Sequence, residues 1–286
     1  MTVLRSLWSR IPIVVRALVL GLVIQIVGVM PFMILVQLNL EALPALPWAA
    51  LVEVGVLWGL WRYLGGAGPP SSTAQTRRRW RRAHPVDRGL WPATAASGLL
   101  YGLTLVSLSA FTNLWQPMPP EAVAGFLALA RAPASMAVAT LAMIAISAGF
   151  VEEMAYRGFM QKPIEERHGP AVAIVVVAVA FALSHAIPGP TLPLFALGAT
   201  GMGLLAYLSG SIVPGIVVHI LVDAGVLTWV WLRPEGIERF LAAANGPEGS
   251  SWLPIAGAIA LALAVATSAA LVWLHRARRA LAASAA

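Results

Sequence analysis

Apolar residues run in long unbroken stretches along this chain, separated by short segments where charge, glycine and proline collect. A helix that crosses a bilayer needs about 20 such residues at about 1.5 Å each. Eight stretches answer to that description: Ile11–Leu38, Leu43–Trp61, Leu90–Trp115, Pro133–Met160, Ala171–Ile187, Leu192–Leu208, Ile212–Leu232 and Trp252–Leu274. The pattern predicts an all-α, polytopic membrane helix bundle of about eight transmembrane helices, forming a single membrane domain over residues 1–286. The fifth and sixth stretches are short, and Pro188-Gly189-Pro190 with Pro193 breaks the chain between them. The run Glu121–Ala130 is too short to span and is expected to lie at the interface or to re-enter. The first stretch is too long for a signal-peptide core and is expected to stay as a span.

Composition agrees with the pattern. The chain is 59% hydrophobic and 11% charged, with a mean hydropathy of +0.81. A soluble domain carries about 25% charged residues, so this chain lacks the charge to cover a surface in water. It has no cysteine, which removes disulfides and thiol chemistry. The net charge of +7 does not indicate a nucleic-acid partner, because the arginines collect between the apolar runs. Counted along alternate connections, fifteen Lys and Arg fall on the side of the N-terminus, and only Arg131, Arg233 and Arg239 fall opposite. The positive-inside rule then predicts that both termini are cytoplasmic. Trp48, Trp61, Trp91, Trp115, Trp231, Trp252 and Trp273 sit near predicted span ends, as an aromatic belt requires. The basic cytoplasmic loop 65–88 holds Arg77, Arg78, Arg79, Arg81 and Arg82 around Trp80. It reads chiefly as a topology determinant, and it can also rest on a lipid bilayer with anionic headgroups.

Ionisable groups inside spans are costly and point to function. They gather in a core region, residues 133–232. The fourth span carries Glu152, Glu153 and Arg157, the fifth Phe181 and His185, and the seventh His219 and Asp223. Residues four apart share a helix face, so Glu153 pairs with Arg157 and is held as a fixed anion. Glu152 lies about 100° around the helix. It cannot easily share that arginine, and is the carboxylate available to take a proton from water. His219 and Asp223 share a face: Asp223 can orient the imidazole, or both can face a metal or a substrate oxyanion. If the fourth helix runs on to Glu165, Glu152 and His185 lie at similar depth, about 20 and about 24 Å from their helix ends.

The order EExxxR, FxxxH, HxxxD on successive apolar helices resembles the CPBP family, the CAAX proteases and bacteriocin-processing enzymes, which include type II CAAX prenyl endopeptidases. The resemblance covers about Ala145 to Gly225. It implies an intramembrane endopeptidase that hydrolyses a peptide bond with a glutamate-activated water in a membrane-embedded cavity. Glu152 is then the catalytic glutamate and His185 works beside it. By the same resemblance His219 and Asp223 bind the oxyanion, and Glu153 and Arg157 complete the site. Asp223 stands where many members have asparagine, and an ionised aspartate cannot donate to an oxyanion. The resemblance also raises a metal: a divalent ion such as zinc would draw on Glu152, His185, His219 and Asp223. No HExxH occurs here, and water activation without a tightly bound metal is the expected version.

The expected partner is a peptide or membrane-protein substrate, with no nucleic acid. A proton-coupled transporter and a non-catalytic membrane scaffold or immunity factor are the competing classes. A transporter predicts inverted repeats with broken helices in matched halves, and here the polar groups occupy only the second half. The scarcity of lysine beside many arginines and alanines fits a GC-rich bacterial genome, so a bacterial inner (plasma) membrane is expected. Of the remaining polar groups, Glu53 has no evident partner and is expected to be buried protonated, and Phe181 is expected only to pack. Gly198, Gly201 and Gly203 are expected to let helices approach closely.

Overall fold

The computed structural model describes residues 7–8, 10–116, 129, 131–185, 191–232 and 247–284, and among them every regular element is helical. In chain order these are α1 (Ile13–Ala42), α2 (Trp48–Leu64), α3 (Ala74–Arg81), α4 (Trp91–Trp115) and α5 (Ala134–Glu152). A π-helical segment (Glu153–Met160) continues α5 into α6 (Gln161–His168), followed by α7 (Pro170–Ser184), α8 (Thr191–Ser209), α9 (Val213–Leu232) and α10 (Pro247–Ser284). Prolines set several starts: Pro12, Pro47 and Pro133 precede α1, α2 and α5, and Pro170 opens α7. A proline there sacrifices no helical hydrogen bond. The turn from α6 to α7 passes through Gly169 at φ +82°, a conformation that favours glycine.

Among the described residues, five helices are long and apolar enough to cross a bilayer: Ile13–Ala42, Arg88–Trp115, Ala134–His168, Thr191–Ser209 and Ser251–Ser284. Two of the eight expected spans are shorter. Leu43–Trp61 becomes α2, which begins only at Trp48 and has 17 residues. Ala171–Ile187 becomes α7 with 15 residues, whereas Ile212–Leu232 becomes α9 with 20. Fifteen residues reach only about 22 Å, short of a hydrocarbon core of about 30 Å. The Pro188-Gly189-Pro190 break and, apart from Leu129, the Glu121–Ala130 run lie outside the described residues.

The helix formed by α5 and the π segment is central. The π segment lies against α1, α5 packs on α9, α7 packs on α8, and α10 runs along α4. One apolar core joins α1, α2, α5, the π segment, α7 and α8, with Phe32, Leu57, Met154, Tyr156, Phe181 and Ala206 in it. A second joins α4, α8, α9 and α10 through Tyr101, Leu205, Val218 and Leu274. Leu51, Leu99, Leu197 and Leu261 point outward and are well exposed, which suits lipid rather than water. Small residues set the closest crossings. A Cβ on Gly149 would lie 2.6 Å from Ile220 Cγ1 and 3.2 Å from the Ile216 carbonyl oxygen, so α5 and α9 nearly touch beside the motif residues. Gly201 is likewise pressed against the Tyr101 ring, and Gly203 against Gln161 and Ile174.

The basic loop is a folded cap. Arg77 is buried and donates to the carbonyl oxygens of Tyr63, Ala67, Gly68 and Pro70, with its guanidinium 4.3 Å from the Tyr63 ring centroid. Arg82 pairs with Glu165 at 3.0 Å, Arg79 with Glu166 at 2.9 Å, and Arg81 stacks over Trp61. These arginines tie α3 to α2 and α6. Glu53 also has a partner that the sequence did not disclose, for the buried Ser147 hydroxyl on α5 donates to it.

Candidate active site

The carboxylates sit where the helix changes its winding. Glu152 is the last residue of α5 and Glu153 the first of the π segment, a wider coil often found at functional sites. Both are buried. Glu153 Oε1 accepts from Arg157 Nη1 at 3.0 Å and faces His219 Nδ1 at 3.2 Å. Arg157 is 1% exposed; its Nη2 donates to the Ala199 carbonyl oxygen at 3.2 Å, and its guanidinium lies 4.6 Å from the Phe181 ring centroid. One arginine thus ties the π segment to α7 and α8.

His219 departs from the sequence expectation in one respect. Its Nδ1 is oriented by Glu153 on another helix, whereas Asp223, one turn along α9, faces Nε2 at 3.7 Å, beyond hydrogen-bond length. An ionised Glu153 only accepts, so Nδ1 carries the proton and a neutral ring presents a bare Nε2. His185 repeats the arrangement. Its Nδ1 lies 2.8 Å from the Phe181 carbonyl oxygen, which again only accepts, and the ring packs against both Phe181 and Phe195. Each Nε2 then points at the same atom: Glu152 Oε2 is 3.9 Å from His185 and 3.8 Å from His219. Glu152 Oε2 has no hydrogen bond among the described residues, while Oε1 accepts from Gln25 Nε2 of α1 at 3.2 Å.

Phe181 does more than pack. Its ring meets Tyr156, His185, Phe195 and, edge-on, His219, besides carrying the guanidinium of Arg157. The Tyr156 hydroxyl donates to Ser184 at 2.6 Å, and Ser184 donates to the Phe181 carbonyl oxygen at 2.7 Å, which fixes the end of α7 that holds His185. A cavity of about 420 Å³ opens onto the group. Glu152, Arg157, His185, His219 and Asp223 line one part of it, and Leu105, Leu108, Ile144 and Leu227 line another. All six motif residues therefore meet in one place. The structure adds Gln25, Gly149 and Gly215, whose roles depend on contacts between distant helices; only the i,i+4 spacing of Phe181 and His185 was a local signal.

Gly215 gives a direct test of how tightly the group is built. A Cβ there would lie 2.7 Å from Glu153 Oε2. Gly215→Ala is expected to push the carboxylate off His219 Nδ1, with overpacking costing about 1–3 kcal/mol of stability. Thermal unfolding checks the number, and unchanged stability contradicts the close fit of Gly215 to Glu153.

Imidazole nitrogens and carboxylates are the donors zinc prefers, at about 2.0–2.2 Å from the ion. Among the described residues, however, no three His, Asp or Glu side chains gather closely enough to hold a metal ion.

Residues 134–225 match the model of a family described as type II CAAX prenyl endopeptidase, Rce1-like. This segment is similar to the Rce1-like family. It runs from the start of α5 into α9 and contains all six motif residues, leaving α1 to α4 and α10 outside the match. Searches of curated proteins and of solved structures found no match. An Rce1-like core within long apolar helices supports a CAAX-protease-type function in an integral membrane protein.

Proposed function

We propose that the chain is an intramembrane endopeptidase of the CAAX-protease type in which Glu152 activates the attacking water. The observation that carries this reading is Glu152 Oε2, buried, without a hydrogen bond, and facing two imidazole nitrogens at 3.8 and 3.9 Å across a cavity wall. Those separations are too long for direct hydrogen bonds and suit a bridging water. Glu152 takes a proton from that water as its oxygen attacks the peptide carbonyl carbon. His185, its Nδ1 committed to Phe181, accepts the second water hydrogen through Nε2 and aims the lone pair. His219, its Nδ1 committed to Glu153, donates from a protonated Nε2 to the oxyanion. The C–N bond then breaks, and Glu152 returns its proton to the leaving amine.

Asp223 keeps the role of a counter-charge to His219, since an ionised carboxylate would repel an oxyanion. In this reading the termini and the arginine cap are cytoplasmic, α2, α7 and α9 complete an eight-span bundle, and the host membrane is a bacterial inner membrane. The apolar part of the cavity takes the side chains of the substrate.

The test is cleavage in proteoliposomes of a quenched fluorescent peptide pool, half of it carrying a prenylated C-terminal cysteine and half an unprenylated copy. Wild type is expected to cleave members of the pool. His185→Ala is expected to lose at least about 100-fold in turnover, in the range typical of general acid–base contributions, while staying folded. A strong chelator is expected to leave the rate unchanged; inhibition reversed by zinc contradicts the metal-free version. Full activity in His185→Ala contradicts the site assignment.

A further inference from the structure

The catalytic group has a partner outside the matched segment. Gln25 lies on α1, 127 residues before Glu152 in sequence, and its Nε2 donates to Glu152 Oε1 at 3.2 Å. The face of α1 that carries it is built for close approach. Ala17, Gly21, Ile24, Gly28, Phe32 and Asn39 are its buried residues, at helical spacing, and half-buried Gln25 lies among them. A Cβ on Gly21 would lie 2.3 Å from Met160 and 3.0 Å from the Ala155 carbonyl oxygen, and one on Gly28 would lie 2.6 Å from Val151. Those two glycines bracket Gln25 and hold α1 against both sides of Glu152. A glutamine placed in an apolar helix is costly unless it meets a partner, and here the partner is the proposed base.

We infer that Gln25 is a positioning residue that holds the Glu152 carboxylate with Oε2 turned to His185 and His219; this rests on the assignment of Glu152 as the base. An ionised carboxylate only accepts hydrogen bonds, so the amide nitrogen must face it. With Oε1 anchored, rotation of the carboxylate about its Cγ–Cδ bond is blocked and Oε2 is the oxygen left for the water. The contrast with the neighbouring residue explains the choice of an amide. Glu153 receives a guanidinium, which neutralises it. Glu152 receives a neutral donor, which orients the group and leaves its negative charge for the proton. Gln25 Oε1 is itself buried with no hydrogen bond among the described residues, so the amide offers an acceptor beside the base for a water or a substrate N–H. The functional unit therefore reaches from the Rce1-like segment to the first helix.

The test uses the full chain in proteoliposomes with the same peptide pool, comparing wild type, Gln25→Met and Glu152→Ala. Methionine keeps the length and apolar packing and removes both hydrogen-bonding groups. Gln25→Met is expected to lower kcat about ten- to hundredfold, with KM within about twofold of wild type and thermal stability unchanged. Gln25→Glu, which keeps the length but sets a second carboxylate against the first, is expected not to restore the rate. An unchanged kcat in Gln25→Met, or a loss accounted for by unfolding or by KM alone, overturns the inference. Glu152→Ala separates the two levels. If it is inactive while Gln25→Met is unimpaired, only the positioning role fails; if it cleaves as well as wild type, or wild type cleaves nothing, the assignment of the base fails and the inference with it.

Discussion

Glu152→Gln is expected to lower peptide cleavage by about 10²–10⁴-fold and to leave the protein as stable as wild type or more so. The two effects have opposite signs for a reason that lies in the site. Glutamine has the shape of glutamate, and its carbonyl oxygen can still accept from Gln25 Nε2, so the contact between α1 and the end of α5 survives. What disappears is a buried charge whose Oε2 makes no hydrogen bond among the described residues. Burying an unpaired charge opposes folding, so its removal relieves the fold while taking away the group that accepts the proton of water. A purely structural Glu152 predicts the reverse: reduced stability, with any cleavage loss following the folded fraction. Thermal unfolding and turnover on one preparation distinguish them.

Arg157→Ala is expected to act mainly on the fold, costing about 3–5 kcal/mol, and to abolish cleavage. Three attachments go together: the 3.0 Å pair with Glu153, the hydrogen bond to the Ala199 carbonyl oxygen and the stacking on Phe181. Glu153, fully buried, would lose its guanidinium partner. The Arg157→Ala/Glu153→Gln double variant removes the Glu153 charge and is expected to regain part of the lost stability, so the two substitutions should be clearly non-additive. Activity should stay low in the double variant, because Glu153 also holds His219 by Nδ1. Arg157→Lys keeps the charge but not the fork that reaches Glu153 and Ala199 together, and should fall between. Additive stability losses, or a double variant with restored turnover, contradict this division of labour.

The sequence disclosed the group but only part of its wiring. Apolar runs of helical length located the helices, and a few charged residues inside them stood out because lipid makes each one costly. Spacing of four was enough to pair Glu153 with Arg157. The same reasoning allowed Asp223 either to orient His219 or to face a metal or oxyanion with it, and did not point to Glu153, 66 residues away, as the Nδ1 partner. Helical periodicity reports which residues share a face; it does not report which face of another helix lies opposite. Gln25 and the Glu53–Ser147 pair escaped notice for that reason, since each contact joins helices far apart in sequence. The π segment was hidden as well, because EMAYRGFM fits an ordinary helix in isolation and its wide turn depends on what packs around it. The lengths of α2 and α7 erred differently. Apolar composition continued past Ser184 while the helix stopped there, and α2 started only after Pro47.

Glu152 as the base of an intramembrane endopeptidase is the central claim, and one comparison tests it most directly: single-turnover cleavage of the peptide pool by wild type and Glu152→Gln in proteoliposomes, with products identified by mass. With Glu152 as the base, wild type produces new peptide termini, and an equally folded Glu152→Gln does so at a rate at least about 100-fold lower. Cleavage by Glu152→Gln at the wild-type rate, or no cleavage by folded wild type, would contradict that claim.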